Sequence, residues 1–418
     1  MILASVLLVL LAVLGAPLFA IIAASAMLGY QQQGIDLMAI AIEILGLAEM
    51  PFLSAIPLFT FAGYLLSESG APQRLVRLTG AVIGWVPGGL ALVALAACAF
   101  FTAFTGASGI TIIALGAILY PALKHDGYPD DFNLGLVTSS GSLGLLFAPS
   151  LPLILYGVIA KVPIDDLFRA GILPGLLMLL MLSGWSLWVN RRNRTPAREF
   201  SLRQVRVALR ESIWELPLPV VVLGGIYSGF FAVSEAAAVT ALYVLIVEVA
   251  VLRDVKVSEL PRIMRESMLL VGAILIILGV SLASTNYMID AGVPQQLLGL
   301  VADLVSSQTS FLLLLLLFLL VLGAILDIFS AIVLVVPLIL PIAAQYDVSQ
   351  IHLGIVFLAA MQLGYLTPPV GLNLFIASYR FDKSILDVCR ATFPFLVILL
   401  LSVIAITFWP QLSLMLVG

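Results

Sequence analysis

Apolar residues run through this chain in long blocks, and polar residues gather at the block ends or at a few positions inside them. Runs such as Met1 to Leu28 and Phe311 to Ile325 read as membrane segments. The pattern predicts spans near 2–28, 51–69, 131–161, 171–190, 216–230, 234–252, 267–290, 351–379 and 392–416. Two more apolar stretches do not read as plain spans. Residues 88–122 are interrupted by Thr105-Gly106-Ala107-Ser108-Gly109, and residues 310–343 are interrupted from Gly323 to Ser330, around Asp327. Each half is short of the ~20 residues that cross a bilayer. Two short helices meeting at a polar tip make a re-entrant hairpin. Such backbone is tolerated at membrane depth only where protein or a water-filled cavity surrounds it.

The interruptions repeat. Pro121 and Pro341, Gly144 and Gly364, and Pro149 and Pro369 all stand 220 positions apart, and Gly70 to Leu75 echoes Gly292 to Leu297 at an offset of 222. Spans 131–161 and 351–379 are broken by Gly and Pro at matching places, with unwound stretches expected at 144–150 and 364–371. Paired broken helices in two halves of an apolar chain point to the binding site of a secondary transporter.

Composition agrees with a membrane solvent. The 418 residues are 62% hydrophobic and 10% charged, with a mean hydropathy of +1.19. A net charge of −4 gives no basic face for nucleic acid. Cys98 and Cys389, among apolar neighbours, make no disulfide framework. The apolar N-terminus lacks a basic start and a small-residue cleavage site, so it reads as a retained span. With the N-terminus in the cytoplasm, 17 of the 19 basic residues fall on the cytoplasmic side, and Lys161 and Arg169 are the exceptions. Arg74 and Arg77 of the first copy become Gln296 and Gly299 in the second, and Lys124-His125 becomes Ala344-Gln345. The second copy therefore reads as facing the opposite side. The expected fold is an all-α polytopic membrane protein of two inverted repeats, each with a re-entrant hairpin and a broken helix. Its parts are an N-terminal span and periplasmic loop (1–50), a first repeat (51–190), an Arg-rich cytoplasmic linker (191–215), a second repeat (216–391) and a C-terminal span (392–418). The linker reads equally well as an interfacial helix or a solvated loop.

Unwound backbone frees carbonyl oxygens that suit a dehydrated sodium ion, and half-helix N-termini suit a carboxylate. On this reading Gly106, Ser108, Gly144, Phe147 and Pro149 form a first sodium site, and Gly323, Asp327, Gly364, Thr367 and Pro368 a second. Thr105, Ser108, Ser139, Ser140, Ser150 and Asn373 are the candidate solute contacts, and Thr111 and Ser330 add hydroxyls nearby. Asp327 has two readings: an ion or gate residue, since intramembrane ionisable groups are so often functional, or an N-cap of the second half-helix. Glu235 reads as a helix cap, Asp130-Asp131 and Asp165-Asp166 as loop or helix-start acids, and Trp85, Trp188 and Trp409 as interfacial anchors. His125 and His352 have no partners at metal-ligand spacing.

The segments Thr105 to Gly109, Gly141 to Gly157, Ile226 to Val239 and Gly364 to Phe375 resemble the large membrane subunit of tripartite ATP-independent periplasmic (TRAP) transporters, the DctM type. The resemblance covers nearly the whole chain, and its Thr367-Pro-Pro-Val-Gly-Leu-Asn373 block is the most specific part. The first broken helix departs from the family's double proline, with Ala148-Pro149 in its place. The resemblance implies a sodium-driven importer of organic acids in the bacterial inner membrane, working by an elevator movement, with sodium as coupling ion and no other cofactor. It also implies a small four-helix membrane subunit as a separate chain and a periplasmic binding protein that delivers the solute.

Two other readings compete. A self-sufficient sodium/dicarboxylate symporter of the divalent-anion class shares the two-hairpin design but needs no binding protein. Gly106-Ala107-Ser108-Gly109 also matches a serine-nucleophile motif, which would need a histidine base within reach. Both histidines fall at segment edges, so no catalytic residue is assigned. No Gly-rich phosphate loop occurs, which leaves out an ATP-driven pump.

Overall fold

The structure, a computed structural model, describes residues 7, 8, 10, 11, 14–50, 53–86, 88–191, 200–302 and 305–417. The start of the expected 2–28 span and residues 192–199 of the Arg-rich linker lie outside the described residues. Among the described residues all regular structure is helical. In the first half these are α1 (Leu18–Gln32), α2 (Met38–Ala48), α3 (Ala55–Glu68), α4 (Ala71–Ile83), α5 (Gly89–Thr105), α6 (Ser108–Ala114), α7 (Gly116–His125), α8 (Asp130–Ser140), α9 (Leu151–Ala160) and α10 (Ile164–Asn190). The linker helix α11 (Leu202–Glu211) follows, then α12 (Pro217–Tyr227), α13 (Val233–Leu245), α14 (Leu260–Asp290) and α15 (Val293–Ala302). The rest are α16 (Gln308–Gly323), α17 (Ile328–Gln345), α18 (Gln350–Gly364), α19 (Leu372–Phe381), α20 (Ile385–Phe408) and α21 (Gln411–Leu414). Five helical segments among the described residues are long and apolar enough to cross a membrane, or seven if each bent pair counts as one span. The chain is a multi-pass membrane protein.

Local chemistry starts several helices where acids or Ser precede an apolar run. Asp130 and Asp131 occupy the first turn of α8, and Asp165 and Asp166 that of α10, where carboxylates meet the positive helix pole. Glu235 accepts from the Ala232 N–H at 2.9 Å and closes the start of α13. Ser384 accepts from the Asp387 N–H at 3.1 Å at the start of α20.

Both hairpins are present. The first runs down α5, turns at Gly106 and Ala107, and returns through α6 and α7, which bend by 48° at Leu115. Gly106 has φ +64°, a left-handed conformation that glycine adopts without cost. The second joins α16 to α17 through residues 324–327. Both broken helices are present as well. In the first, α8 passes through a single 3₁₀ turn (Leu143–Leu146) to α9, with a 41° bend. In the second, residues 365–371 separate α18 from α19. Each break carries a cis X–Pro bond, Ala148–Pro149 and Pro368–Pro369.

The breaks pack on the first arms of the hairpins by backbone contact. A Cβ on Gly144 would lie 2.2 Å from the Ala99 carbonyl oxygen and 2.5 Å from the Ala103 nitrogen. A Cβ on Gly364 would lie 2.4 Å from the Gly323 carbonyl carbon. The two copies thus use the same device, 220 positions apart.

Two contacts show the inversion directly. Lys383 Nζ, just after α19, donates to Asp130 Oδ2 at 2.8 Å, at the start of α8. Tyr156 Oη, on α9, donates to the Gln350 carbonyl at 2.7 Å, at the start of α18. Each broken helix begins where the other ends, so the two run antiparallel.

Some elements differ from the sequence expectation. The loop expected before residue 51 contains α2, and the arms α4 and α15 stand where only connections were expected. α4 buries Ala71, Pro72 and Leu75 on one face, a short amphipathic stripe rather than a span. Within the linker, Leu202–Glu211 form the helix α11, which fits the helical one of the two readings left open for that stretch.

Candidate functional site

The first hairpin tip is a nest of neutral hydroxyls. Thr102, on α5, donates to the Gly141 carbonyl at 2.9 Å and lies 2.7 Å from the Thr111 hydroxyl. With its own proton committed to Gly141, Thr102 accepts from Thr111. These bonds tie both arms of the hairpin to the point where α8 ends. Ser108, the first residue of α6, donates to Asn373 Oδ1 at 2.7 Å, and both side chains are buried. Gly106 sits against Leu151 at the start of α9, and Gly63 of α3 backs the tip at Thr105.

Four polar atoms here remain open. Thr105 Oγ1, Ser139 Oγ, Ser150 Oγ and Asn373 Nδ2 are buried and make no hydrogen bond among the described residues. A buried polar atom without a partner costs ~1–3 kcal/mol. Ser140 differs, since it reaches the Val137 carbonyl at 3.3 Å. Nearby, α9 and α19 begin at Ser150 and Gly371 with no side-chain cap. Pro152 in the first turn of α9 has no N–H, and at α19 the Gly371 and Asn373 N–H groups are taken by the Ala324 and Tyr365 carbonyls. What both starts present is therefore the partial positive charge of the helix pole rather than a set of free donors.

The second tip is closed by its own side chains. Asp327 Oδ1 accepts from the N–H groups of Phe329 and Ser330, both at 3.0 Å, and Oδ2 accepts from the Ser330 hydroxyl at 2.5 Å. Tyr365 Oη accepts from the Ile328 N–H at 2.8 Å. The Ala324 carbonyl accepts from the N–H groups of Val370 at 3.1 Å and Gly371 at 3.3 Å, joining tip to break. Thr367 Oγ1 donates to the Leu363 carbonyl at 3.2 Å.

Asn373 links the first hairpin tip to the second break. Its N–H donates to the Tyr365 carbonyl at 3.2 Å in the second break, and its side chain takes Ser108 of the first tip. Of the residues expected to hold a first sodium ion, Gly106 and Ser108 lie at the tip, and Gly144, Phe147 and Pro149 lie in the adjoining break. The Gly144 and Phe147 carbonyls each accept one N–H, from Phe147 at 3.0 Å and Ser150 at 3.1 Å. The Gly364 carbonyl likewise accepts from Thr367 at 2.9 Å, while Gly323 packs on Gly364 and Pro368 follows in the break. A carbonyl has two lone pairs, so each could still bind an ion. Hydroxyl and carbonyl oxygens suit a hard cation of low charge. Among the described residues no group of three or more His, Cys, Asp or Glu could hold a metal.

Thr102 and Tyr365 were not singled out from the sequence. Thr102 is an isolated hydroxyl in an apolar helix, a faint signal. Tyr365 takes the place of Leu145 in the first copy, so comparing the repeats position by position marks it. The histidines stand apart from Ser108. His125 is largely exposed and faces Asp126 at 3.5 Å, and His352 faces the Ser413 hydroxyl and the Thr407 carbonyl, each at 3.2 Å.

The capping geometry sets one expectation. Asp327→Asn is expected to keep the unfolding midpoint in detergent near the wild-type value, because Asn and Asp cap almost equally well. Asp327→Ala is expected to cost ~1 kcal/mol or more. Equal midpoints for Asp327→Ala and the wild type would refute the cap.

Residues 3–412 match the family model described as the DctM component of the tripartite ATP-independent periplasmic transporter. The C4-dicarboxylate TRAP transporter large permease protein DctM of Pseudomonas aeruginosa is 36% identical over 377 residues, 90% of this chain and 88% of that protein. The isethionate TRAP transporter permease protein DctMQ of Oleidesulfovibrio alaskensis is 32% identical over 366 residues, 87% of this chain and 58% of that longer protein. The crystal structure of the YdaH transporter of Alcanivorax borkumensis superposes with a TM-score of 0.56 at 12% identity, covering 91% of this chain and 89% of that one, a likeness of fold alone. The match along nearly the full length places this chain in the DctM family, the large permease component of TRAP transporters.

Proposed function

We propose that this permease imports an organic acid by sodium-driven symport, with the hairpins and broken helices moving together in an elevator motion. The observation that carries this reading is the set of open, buried atoms on Thr105, Ser139, Ser150 and Asn373 beside the uncapped starts of α9 and α19. Uncapped helix N-termini favour a carboxylate, and the hydroxyls and break carbonyls supply neutral oxygens for sodium. In this reading the first tip carries more of the solute binding, since the second already satisfies its own N–H groups. Asp327 keeps lone pairs on both oxygens, so an ion contact beside its cap is part of the proposal.

The driving force is adequate. One net charge moving inward gains ~2.3 kcal/mol per 100 mV, and a tenfold sodium gradient adds ~1.4 kcal/mol per ion. Two sodium ions with a monoanion supply about 5 kcal/mol, enough for a several-thousand-fold solute gradient.

The partners follow from the family. We infer a small four-helix membrane subunit and a periplasmic binding protein that delivers the solute. The longer DctMQ relative, of which this chain covers 58%, is in line with a second membrane part. A self-sufficient symporter would need neither. Uptake into proteoliposomes is expected to require an inward sodium gradient, the small subunit and the loaded binding protein. Undiminished uptake with potassium in place of sodium, at fixed potential and pH, would exclude sodium coupling. Full uptake without the binding protein would favour the symporter.

Orientation is part of the same proposal: the bacterial inner membrane, with the N-terminus in the cytoplasm. Cysteine at Gln296, an exposed residue of α15, should react with an impermeant thiol reagent outside intact cells, and cysteine at Arg77 should not. Equal labelling at both positions would contradict this orientation.

A further inference from the structure

Away from the hairpins, a cavity of about 690 Å³ opens between α4 and α11. Its wall is mixed. Val76, Trp85, Leu90 and Val207 give apolar surface, and Arg77, Arg203 and the carboxylate of Glu211 give charge. Arg77 is already paired with Glu211 at 3.0 Å. Arg203 has no salt bridge among the described residues, nor do Arg206 and Arg210. Trp85, which lines the cavity, meets Phe200 edge to face at 5.9 Å between ring centres, each about half exposed.

The helix that forms one wall has an unusual surface for a soluble loop. Arg203, Arg206 and Arg210 follow one another at spacings of three and four, so they form one stripe. Leu202, Val205 and Leu209 form the adjacent stripe at the same spacings, and Leu202 is 74% exposed. An apolar stripe left uncovered beside a row of arginines is the surface of a helix lying in a membrane interface. This face belongs to the side that carries 17 of the 19 basic residues.

We propose that this cavity binds an anionic phospholipid, its phosphate at Arg203 and an acyl chain along Val76, Trp85, Leu90 and Val207. The charge identifies the head group, since Arg203 is the cation lining the cavity that has no salt bridge among the described residues. The apolar wall and the uncovered Leu202 stripe identify the rest as lipid rather than a free anion. The volume lies within the ~300–1,000 Å³ of small-molecule sites. The site is one-sided, because the second copy carries Gln296 and Gly299 in place of Arg74 and Arg77.

The position gives the lipid a structural task. Arg74, one turn before Arg77, is held by Glu215, Glu248 and Asp254. That end of α4 is fixed to the rest of the protein by charge. The far end of α4, toward Trp85, meets α11 across the cavity, and a lipid there would wedge the two helices at a set spacing.

Native mass spectrometry of the full chain in detergent tests this, with phosphatidylglycerol and phosphatidylcholine of identical acyl chains as probes. Phosphatidylglycerol should be retained at several-fold lower concentration than phosphatidylcholine. Arg203→Glu should weaken phosphatidylglycerol at least about fivefold, the contribution of one basic residue at an anionic surface. Arg203→Lys should retain it, and Val207→Trp, which fills the cavity, should weaken both lipids. Millimolar inorganic phosphate should leave the bound lipid in place. Equal retention of the two lipids, or unchanged binding by Arg203→Glu, overturns the proposal. Displacement by phosphate alone would assign the site to a soluble anion. Protection of Arg203→Cys from a thiol reagent only when the small subunit is present would assign the surface to that subunit.

Discussion

Gly144→Ala is expected to abolish uptake and to leave a markedly less stable protein. The added methyl would sit 2.2 Å from the Ala99 carbonyl oxygen and 2.5 Å from the Ala103 nitrogen. Both are backbone atoms of α5, so no side chain can turn aside. Overpacking a tight interior costs ~1–3 kcal/mol and occasionally more, and a backbone clash belongs at the upper end. Moving α5 away from the break would also displace Thr105 and Gly106 at its tip. Gly364→Ala should behave alike, because its methyl would meet the Gly323 backbone at 2.4 Å. Gly184→Ala supplies the control, since nothing lies within 4 Å of a Cβ there. Thermal unfolding in detergent and uptake in proteoliposomes give the readouts. Wild-type midpoints and rates for Gly144→Ala would show that the break and the hairpin arm are not held in this contact.

Asn373→Asp is expected to fold normally and yet lose uptake at least about tenfold. The aspartate keeps an acceptor for the Ser108 hydroxyl, now at 2.7 Å from Oδ1. It removes the Nδ2 donor, one of the open buried atoms, and brings a negative charge to a site proposed for a carboxylate. Like charges in a site of low dielectric repel strongly. Asn373→Ala serves as the companion. It leaves the Ser108 hydroxyl buried and unpaired, a cost of ~1–3 kcal/mol in stability. Wild-type uptake by Asn373→Asp, at saturating solute and sodium, would remove Asn373 from the solute site.

The hairpins and breaks were legible because membrane helices tolerate few interruptions, so Gly and Pro inside apolar runs stand out. Repetition at 220 positions turned each signal into a pair. Proline and glycine mark where backbone hydrogen bonding stops, and the chain uses them that way at 148–149 and 368–369. The short arms α4 and α15 were not legible as elements, because an apolar stripe such as Ala71, Pro72 and Leu75 is too brief to separate from a connecting segment. Nor does periodicity report who pairs with whom. The bond from Ser108 to Asn373 spans 265 positions, and no local pattern encodes it. The cap at Asp327 could be read as one of two alternatives, but its partner Tyr365 could not, since aromatic residues in an apolar run give no hint of a hydroxyl aimed at a helix end. The bend of 48° at Leu115 has no proline at the bend itself, and its one mark in the sequence is Gly116, a single glycine in an apolar run.

The bond between Ser108 and Asn373 also has a meaning during synthesis. At ~5–20 residues per second, the 265 positions between them take roughly 13–50 s to translate. Throughout that interval the first hairpin exists without the amide that receives its serine, and α8 without the lysine that meets Asp130. The half made first is therefore the half that waits. Its hydroxyl-rich tip must be sheltered by water or by the insertion machinery until the ribosome has delivered Asn373 and Lys383, close to the end of the given sequence.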